Sequence, residues 1–326
     1  MLNKNMNLNE YDLSIIIPHY NTPDLLMKLL KTIPQKENIQ VIVIDDRSDQ
    51  NLEELARCEK YCLHSNYIFR INNGKKGAGT CRNAGLELAS GKWILFADAD
   101  DYFNTDMYSK VSRYFEAEYD IVYFVPTSIH PETGLLGGRH LDIERVTKNY
   151  IKNPNLYNEL QLRYTCNYTW TKLVRRKCIE KNHIRFDEVR IANDIMFAIK
   201  IGFFGKNITA SEDIIYVITR TKNSLSSKID IDSYNIRLEV FIRKYNFLKE
   251  NLSQKEFKIL HMTGQGRIFT AVQNRYSISQ VYSIYRKLKK NGIRVIDGKM
   301  FNPFYTIPLV KEAVIARKAS KEYLSK

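Results

Sequence analysis

The chain has 326 residues, 44% hydrophobic and 26% charged, a globular balance that excludes collagen-like, disordered and coiled-coil architectures. Its length suits one large domain or two of moderate size. Fifty Lys and Arg against 36 Asp and Glu leave a net charge of +14, which invites a polyanionic partner such as nucleic acid or an acidic membrane. The excess is localised: residues 230–326 carry 19 basic and 8 acidic side chains, a net +11, and the preceding 229 residues carry +3.

Short apolar runs alternate with segments of helical period along the first half. Residues 13–18 read as a buried strand, 24–31 as a helix with Pro23 near its start, 41–46 as a second strand, 52–62 as a helix and 67–71 as a third strand. A glycine-rich turn enters a helix over 79–89, followed by a strand over 93–97, a helix over 106–115 and a strand over 121–125. From 132 to 168 the pattern loosens into a turn with Gly134, Gly137 and Gly138 and a polar helical stretch, read as a connection or flap. Residues 170–204 are mixed helical sequence, 214–219 a strand, and from Ser233 on the chain is helical, basic and rich in aromatics. The fold class expected is α/β, with a mostly parallel central sheet covered on both faces and a basic helical C-terminal extension over 229–326. In such a sheet the ligand sits beyond the carboxyl ends of the strands.

No run approaches the ~18 apolar residues of a membrane span, and the start MLNKNMNLNEYD lacks the apolar core of a signal peptide. A cytoplasmic chain is therefore expected. The five cysteines (Cys58, Cys62, Cys81, Cys166, Cys178) are odd in number and scattered, which argues against a disulfide framework and fits a reducing compartment.

Polar residues gather at three strand ends: Pro18, His19, Tyr20 and Asn21; Asp45, Asp46 and Ser48; Asp98, Asp100 and Asp101. In extended chain Asp98 and Asp100 point the same way about 7 Å apart, with Ala99 inward. Two carboxylates facing one site call for a cation, and hard oxygen ligands favour Mg2+ or Mn2+ shared with phosphates. The same run also suits an acidic turn that caps the helix near Asp106. The loop from Asn73 to Gly85 brings Lys75, Lys76 and Arg82 to a helix N-terminus, where an anion is favoured. It is neither a Walker loop nor GxGxxG, and a solvated turn reads equally well. Asp46 with Ser48 suits an Asx turn, and Tyr20 a rim aromatic.

Taken together, Ile15–Asn21 (IIIPHYN), Val43–Ser48 (VIDDRS), NGKKG at 73–77 with RNAG at 82–85, and GKWILFADADD at 91–101 resemble glycosyltransferase family 2. The resemblance continues through WTKLVRR at 170–176, IRF at 184–186 and ANDIMF at 192–197. It implies a GT-A catalytic domain over 12–228, with a nucleotide-sugar half at 12–126 and an acceptor half at 127–228. The activity implied is inverting transfer of a sugar from a UDP-sugar to a glycan or lipid-linked glycan, in the assembly of bacterial capsule, O-antigen or another surface polysaccharide. Carried over by position, Tyr20 stacks on the uracil, Asp46 holds its imide N–H, and Pro18, Lys75, Arg82 and Ala99 line the nucleotide-sugar. Asp98 meets the ribose and the metal, and Asp100 ligates the Mn2+ or Mg2+ on the diphosphate. The family's Glu-Asp pair stands here as Asn193-Asp194, which leaves Asp194 as the general base. By position alone Asp194 is also a first-turn helix acid behind an Asn193 N-cap. Trp170 and Lys172 match the acceptor-side segment, although Trp170 suits a core equally. Arg220, with Ser224, matches a late loop that closes over the diphosphate, or is a plain surface arginine.

The basic tail admits two other readings. Aromatics among cations are a nucleic-acid signature, but no recognition motif is present and Ile236, Val240, Ile242 and Phe247 follow helical core spacing, so no nucleic acid is expected. Residues 282–290 and 301–305 offer the cations and aromatics of an anionic membrane contact, which implies a peripheral position at the inner face of the plasma membrane. A solvated helical bundle is the plainer alternative.

Overall fold

The computed structural model describes residues 11–63, 66–130, 132–219 and 230–295. Arg220, Ser224 and the 301–305 segment lie outside these residues. The chain divides into two compact units, Met1–Thr221 and Lys222–Lys326.

In the first unit, β1 (Tyr11–His19), α1 (Pro23–Thr32), β2 (Ile39–Asp45), α2 (Leu52–Tyr61), β3 (Tyr67–Ile71), α3 (Ala78–Leu88) and β4 (Gly91–Phe96) alternate regularly. There follow β5 (Tyr102–Phe103), α4 (Met107–Val111), β6 (Ile121–Ile129), α5 (Leu141–Lys152), α6 (Leu156–Thr165), β7 (Lys172–Arg175), α7 (Arg176–Lys181), α8 (Ile195–Phe204) and β8 (Ile208–Thr219). The strands form one sheet in the order β3-β2-β1-β4-β7-β6-β8-β5. The pairs β1–β2, β1–β4, β2–β3 and β6–β8 are parallel, and β7 is antiparallel to both β4 and β6. β5 adds an antiparallel edge to β8. Every residue of β2 is buried, as expected for a parallel strand with both faces covered. Helix α3 lies close on β1: a Cβ at Gly85 would come within 2.4 Å of Ile16 Cγ2. All five cysteines are buried and free.

Four expectations change. Residues 132–168 are not a flap: α5 and α6 bury Ile143, Val146 and Leu162 in the main core. Arg163 of α6 donates to Gly202 O at 2.7 Å and Gly205 O at 2.5 Å, satisfying the last carbonyls of α8 with a cation. β6 runs past Pro126, because register shifts between Phe124 and Val125 and between Val125 and Thr127 make this stretch of the β6–β8 pairing irregular, and a bulge tolerates a residue without an N–H. β8 begins at Ile208 rather than 214, since Glu212 and Asp213 fall in that same irregularity. The helix read over 106–115 is α4 followed by a 3-10 turn over Ser112–Tyr114.

The second unit consists, among its described residues, of α9 (Ile231–Asn251), α10 (Gln254–Ile259), α11 (Gln265–Gln273) and α12 (Ile278–Lys290). Capping boxes start α10 (Ser253 with Glu256) and α12 (Ser277 with Gln280). Tyr234, Leu238, Ile242 and Tyr245 of α9 pack with Ala271, Ile284 and Leu288. The stripe is therefore offset from the one read in the sequence, with Ile236 and Phe247 only partly buried.

Gly85→Ala should destabilise the first unit by about 1–3 kcal/mol through overpacking. A lower urea midpoint at unchanged m-value would register the loss, whereas an unaltered midpoint would mean that α3 can lift from β1 without cost.

Candidate active site

The carboxyl ends of β1 and β2 are tied together by a buried polar cluster. His19 Nδ1 donates to Asp45 Oδ1 at 2.7 Å, while its Nε2 accepts the Thr22 N–H at 3.1 Å. Asp45 also accepts the Ser48 N–H and hydroxyl at 2.8 and 2.6 Å. Burial works to raise this carboxyl, but the hydrogen bonds from His19 and Ser48 outweigh it and hold Asp45 below its ordinary range. Asn21, at φ 55°, receives the N–H of Asp49 at 2.9 Å and donates to its carboxylate at 2.7 Å. The two loops thus hold each other, and Pro18 is buried just before them.

Around this frame stand the residues matched to the nucleotide. Tyr20 is 42% exposed, and Lys76, rather than Lys75, places its ammonium 4.0 Å from the ring centroid. Lys75 is exposed. Asp46 is buried and accepts Asn72 Nδ2 at 2.7 Å and the Gly77 N–H at 2.8 Å. Its carboxylate therefore shapes the glycine-rich loop into α3.

Beyond β4, residues 98–101 form a turn, not extended chain, in which the Asp101 N–H reaches Asp98 O at 3.0 Å. The turn brings three carboxylates together: one oxygen from each of Asp98, Asp100 and Asp101 lies within 4.8 Å of the others, and Ala99 is buried beneath. Asp101 is the anchor. Its Oδ1 accepts the Thr219 N–H at 2.7 Å and it takes a hydrogen bond from the Tyr216 hydroxyl, while that hydroxyl accepts the Asp98 N–H at 2.8 Å. Thr219 Oγ1 also donates to Asp100 O. Burial, then the neighbouring carboxylates, push Asp101 well up and Asp100 to about 6. With Asp101 committed to the protein, Asp98 and Asp100 are the pair whose crowded negative charge fits a hard divalent cation.

Arg82 of α3 connects this turn to the candidate base. Its guanidinium donates to Asp98 Oδ1 at 2.5 Å and to Asn193 Oδ1 at 2.7 Å, and is 6% exposed. Asn193 thus serves Arg82 and does not cap α8. Asp194 occupies the N-cap position without a side-chain cap bond. Burial pushes the Asp194 carboxyl up, Arg82 and Lys172 pull it back, and Asp98 adds to the rise.

Two acceptor-side expectations end in the interior. Lys172 is fully buried, its ammonium donating to Cys166 O at 2.6 Å and to Tyr168 O, and burial pulls it down to about 8. Trp170 is 5% exposed and stacks on Tyr216, with centroids 5.5 Å apart at 13°. Both side chains are engaged within the protein, Lys172 by backbone carbonyls and Trp170 by the Tyr216 ring. Tyr216 and Thr219 had no sequence motif to reveal them, and they are identified by their hydrogen bonds alone. Arg139 is a further unforeseen neighbour, donating to Thr219 O at 3.3 Å.

The family profile described as glycosyl transferase family 2 matches residues 14–182. The glycosyltransferase EpsH of Bacillus subtilis is 23% identical over 95% of this chain and 96% of its own length. Staphylococcus aureus TarS 1–349 in complex with UDP-GlcNAc superposes with a TM-score of 0.66 at 19% identity, over 96% of this chain and 92% of that one. The mannosyltransferase PcManGT of Pyrobaculum calidifontis, in complex with GDP-Man and Mn2+, gives 0.58 at 16% identity over 96% and 87%. The architecture is accordingly the GT-A fold, and with more than half its residues under the family profile this chain belongs to glycosyl transferase family 2.

Proposed function

We propose that this chain is a metal-dependent, inverting glycosyltransferase that moves a sugar from a UDP-sugar to a hydroxyl of a glycan or lipid-linked glycan during bacterial surface polysaccharide assembly. The observation that carries the reading is the Asp98/Asp100 turn joined through Arg82 to the segment bearing Asp194. Its setting among relatives is consistent: TarS is named a poly(ribitol-phosphate) beta-N-acetylglucosaminyltransferase, and its UDP-GlcNAc complex shares this fold.

In this reading Tyr20 stacks on the uracil and Asp46 meets its imide N–H, with Pro18, Lys75 and Ala99 lining the nucleotide. Asp98 and Asp100 hold the Mn2+ or Mg2+, which supplies positive charge to the diphosphate as it departs. Arg82 neutralises Asp98 and holds the Asn193 side-chain amide, so that Asp194 stands next to the reacting face. Asp194 accepts the acceptor's hydroxyl proton as that oxygen forms its bond to the anomeric carbon from the side opposite the diphosphate. Arg220, outside the described residues, remains assigned to the loop that closes on the diphosphate.

A panel of nucleotide-sugars assayed for UDP release tests the activity. Asp194→Asn should abolish transfer and leave UDP-sugar binding largely intact; near-normal turnover would remove Asp194 from the role.

Metal use makes a pH-dependent prediction. Because the folded-state pKa of Asp100 is raised to about 6 from 3.8, its ionisation opposes folding above that range, and the penalty fades as pH falls through the window. Cation binding must displace a proton below about pH 6. The rise in melting temperature produced by Mn2+ should therefore be larger at pH 7.5 than at pH 5 and vanish in Asp100→Asn. An equal rise at both pH values would count against ligation by Asp100.

The second unit suits an anionic membrane surface: residues 230–326 carry +11, and Phe269, Val272, Ile278 and Tyr282 are exposed on α11 and α12. No helix among the described residues is long and apolar enough to cross a membrane; the form proposed is peripheral contact at the cytoplasmic face. The chain should co-sediment with phosphatidylglycerol-containing vesicles and not with pure phosphatidylcholine vesicles. Indifference to lipid charge would sink the idea.

A further inference from the structure

Arg139 has no place in the motif pattern, and its position is built rather than accidental. It follows the turn that leaves β6, and both flanks of the residue are pinned. On one side the Gly137 N–H donates to Ser128 O at 2.7 Å, in packing so close that a Cβ on Gly137 would come within 2.9 Å of Ser128 Oγ. On the other, His140 Nδ1 bonds the same Ser128 hydroxyl at 2.8 Å, and the residue is buried.

Between these anchors Arg139 is exposed and sends Nη1 to Thr219 O at 3.3 Å. Thr219 is the residue whose N–H holds Asp101 and whose hydroxyl holds Asp100 O. The guanidinium charge is accordingly felt by Asp100 and by the Tyr168 phenol. No carboxylate of the described residues forms an ion pair with it, in contrast to Arg82, whose charge is taken by Asp98. A guanidinium offers five donors in a planar fork suited to phosphate. One contact with Thr219 leaves most of that fork available beside the Asp98/Asp100 pair.

We propose that Arg139 contacts the substrate, its guanidinium holding the terminal phosphate of the donor's diphosphate. The inference deepens the reading of the site given above and rests on it. As the bond between the anomeric carbon and the diphosphate breaks, its electron pair stays on that terminal phosphate, while the acceptor oxygen bonds to carbon and its proton passes to Asp194. A fixed cation at the departing oxygen favours this step because charge grows there as the bond opens.

UDP and UMP differ by the terminal phosphate, so their binding isolates the contact. Wild type, Arg139→Ala and Arg139→Lys would each be titrated calorimetrically with UDP and with UMP in the presence of Mn2+, after thermal melts establish that all three are folded. Loss of the charged contact should weaken UDP binding about tenfold to a hundredfold in Arg139→Ala, leave UMP binding unchanged, and be partly restored in Arg139→Lys. Unchanged UDP affinity in Arg139→Ala would overturn the proposal, and so would equal weakening of UDP and UMP. Wild type that binds neither nucleotide with Mn2+ would instead overturn the donor assignment on which the proposal stands.

Discussion

One buried guanidinium holds the two halves of the site in register. Arg82 reaches Asp98, just beyond β4, and Asn193, just before α8, two positions nearly a hundred residues apart in sequence. Without a cation there, the carboxylates of Asp98 and Asp194 would repel each other uncompensated. With it, the carboxylate turn and the segment bearing Asp194 are tied together. The close packing of α3 extends this constraint: a Cβ at Gly79 would lie 2.1 Å from Asp187 O and 3.1 Å from the Asn193 Cβ, so the helix that carries Arg82 also presses on the loop leading to Asp194.

The other boundaries are set by side chains hydrogen-bonded or stacked within the protein. Tyr216 and Thr219 at the end of β8 set the geometry of residues 98–101, and Trp170 stacked on Tyr216 fixes the phenol from behind. Arg163 closes the far end of α8, so the helix that presents Asp194 is held at both termini. Positioning of this kind matters because a base must lie within hydrogen-bond reach of the proton it takes.

The alternation of apolar runs and helical periods made the doubly covered sheet legible, since β1, β2 and β4 carry the apolar runs Ile15–Ile17, Val41–Ile44 and Trp93–Phe96. The strand-end acids were legible for the same reason, as polar breaks directly after such runs. What escaped was nonlocal. Asp98 and Asp100 looked like an extended pair because the hydrogen bonds that curl them into a turn come from Thr219 and Tyr216, over a hundred residues away. Asn193 looked like a cap until Arg82 claimed its amide oxygen. Lys172 reads as an acceptor-side residue because sequence alone does not reveal two carbonyls waiting inside the fold. Residues 132–168 looked like a flap because the apolar positions of α5 and α6 are sparse and interleaved with charge, yet they are enough to join the core.

The five buried thiols have a consequence for how the chain meets oxidants. Burial pushes Cys58 and Cys178 up to about 11 and Cys62 and Cys81 to about 12, which suppresses the thiolate that attacks peroxides, alkylating agents and disulfides. The native fold thus protects its thiols from oxidants by burying them, and the free state of these cysteines ceases to be a marker of the compartment the protein occupies. It also turns them into clocks: a thiol reagent modifies each one only when its local structure opens, so labelling rates along α2, α3 and α7 would chart how different parts of the catalytic unit breathe.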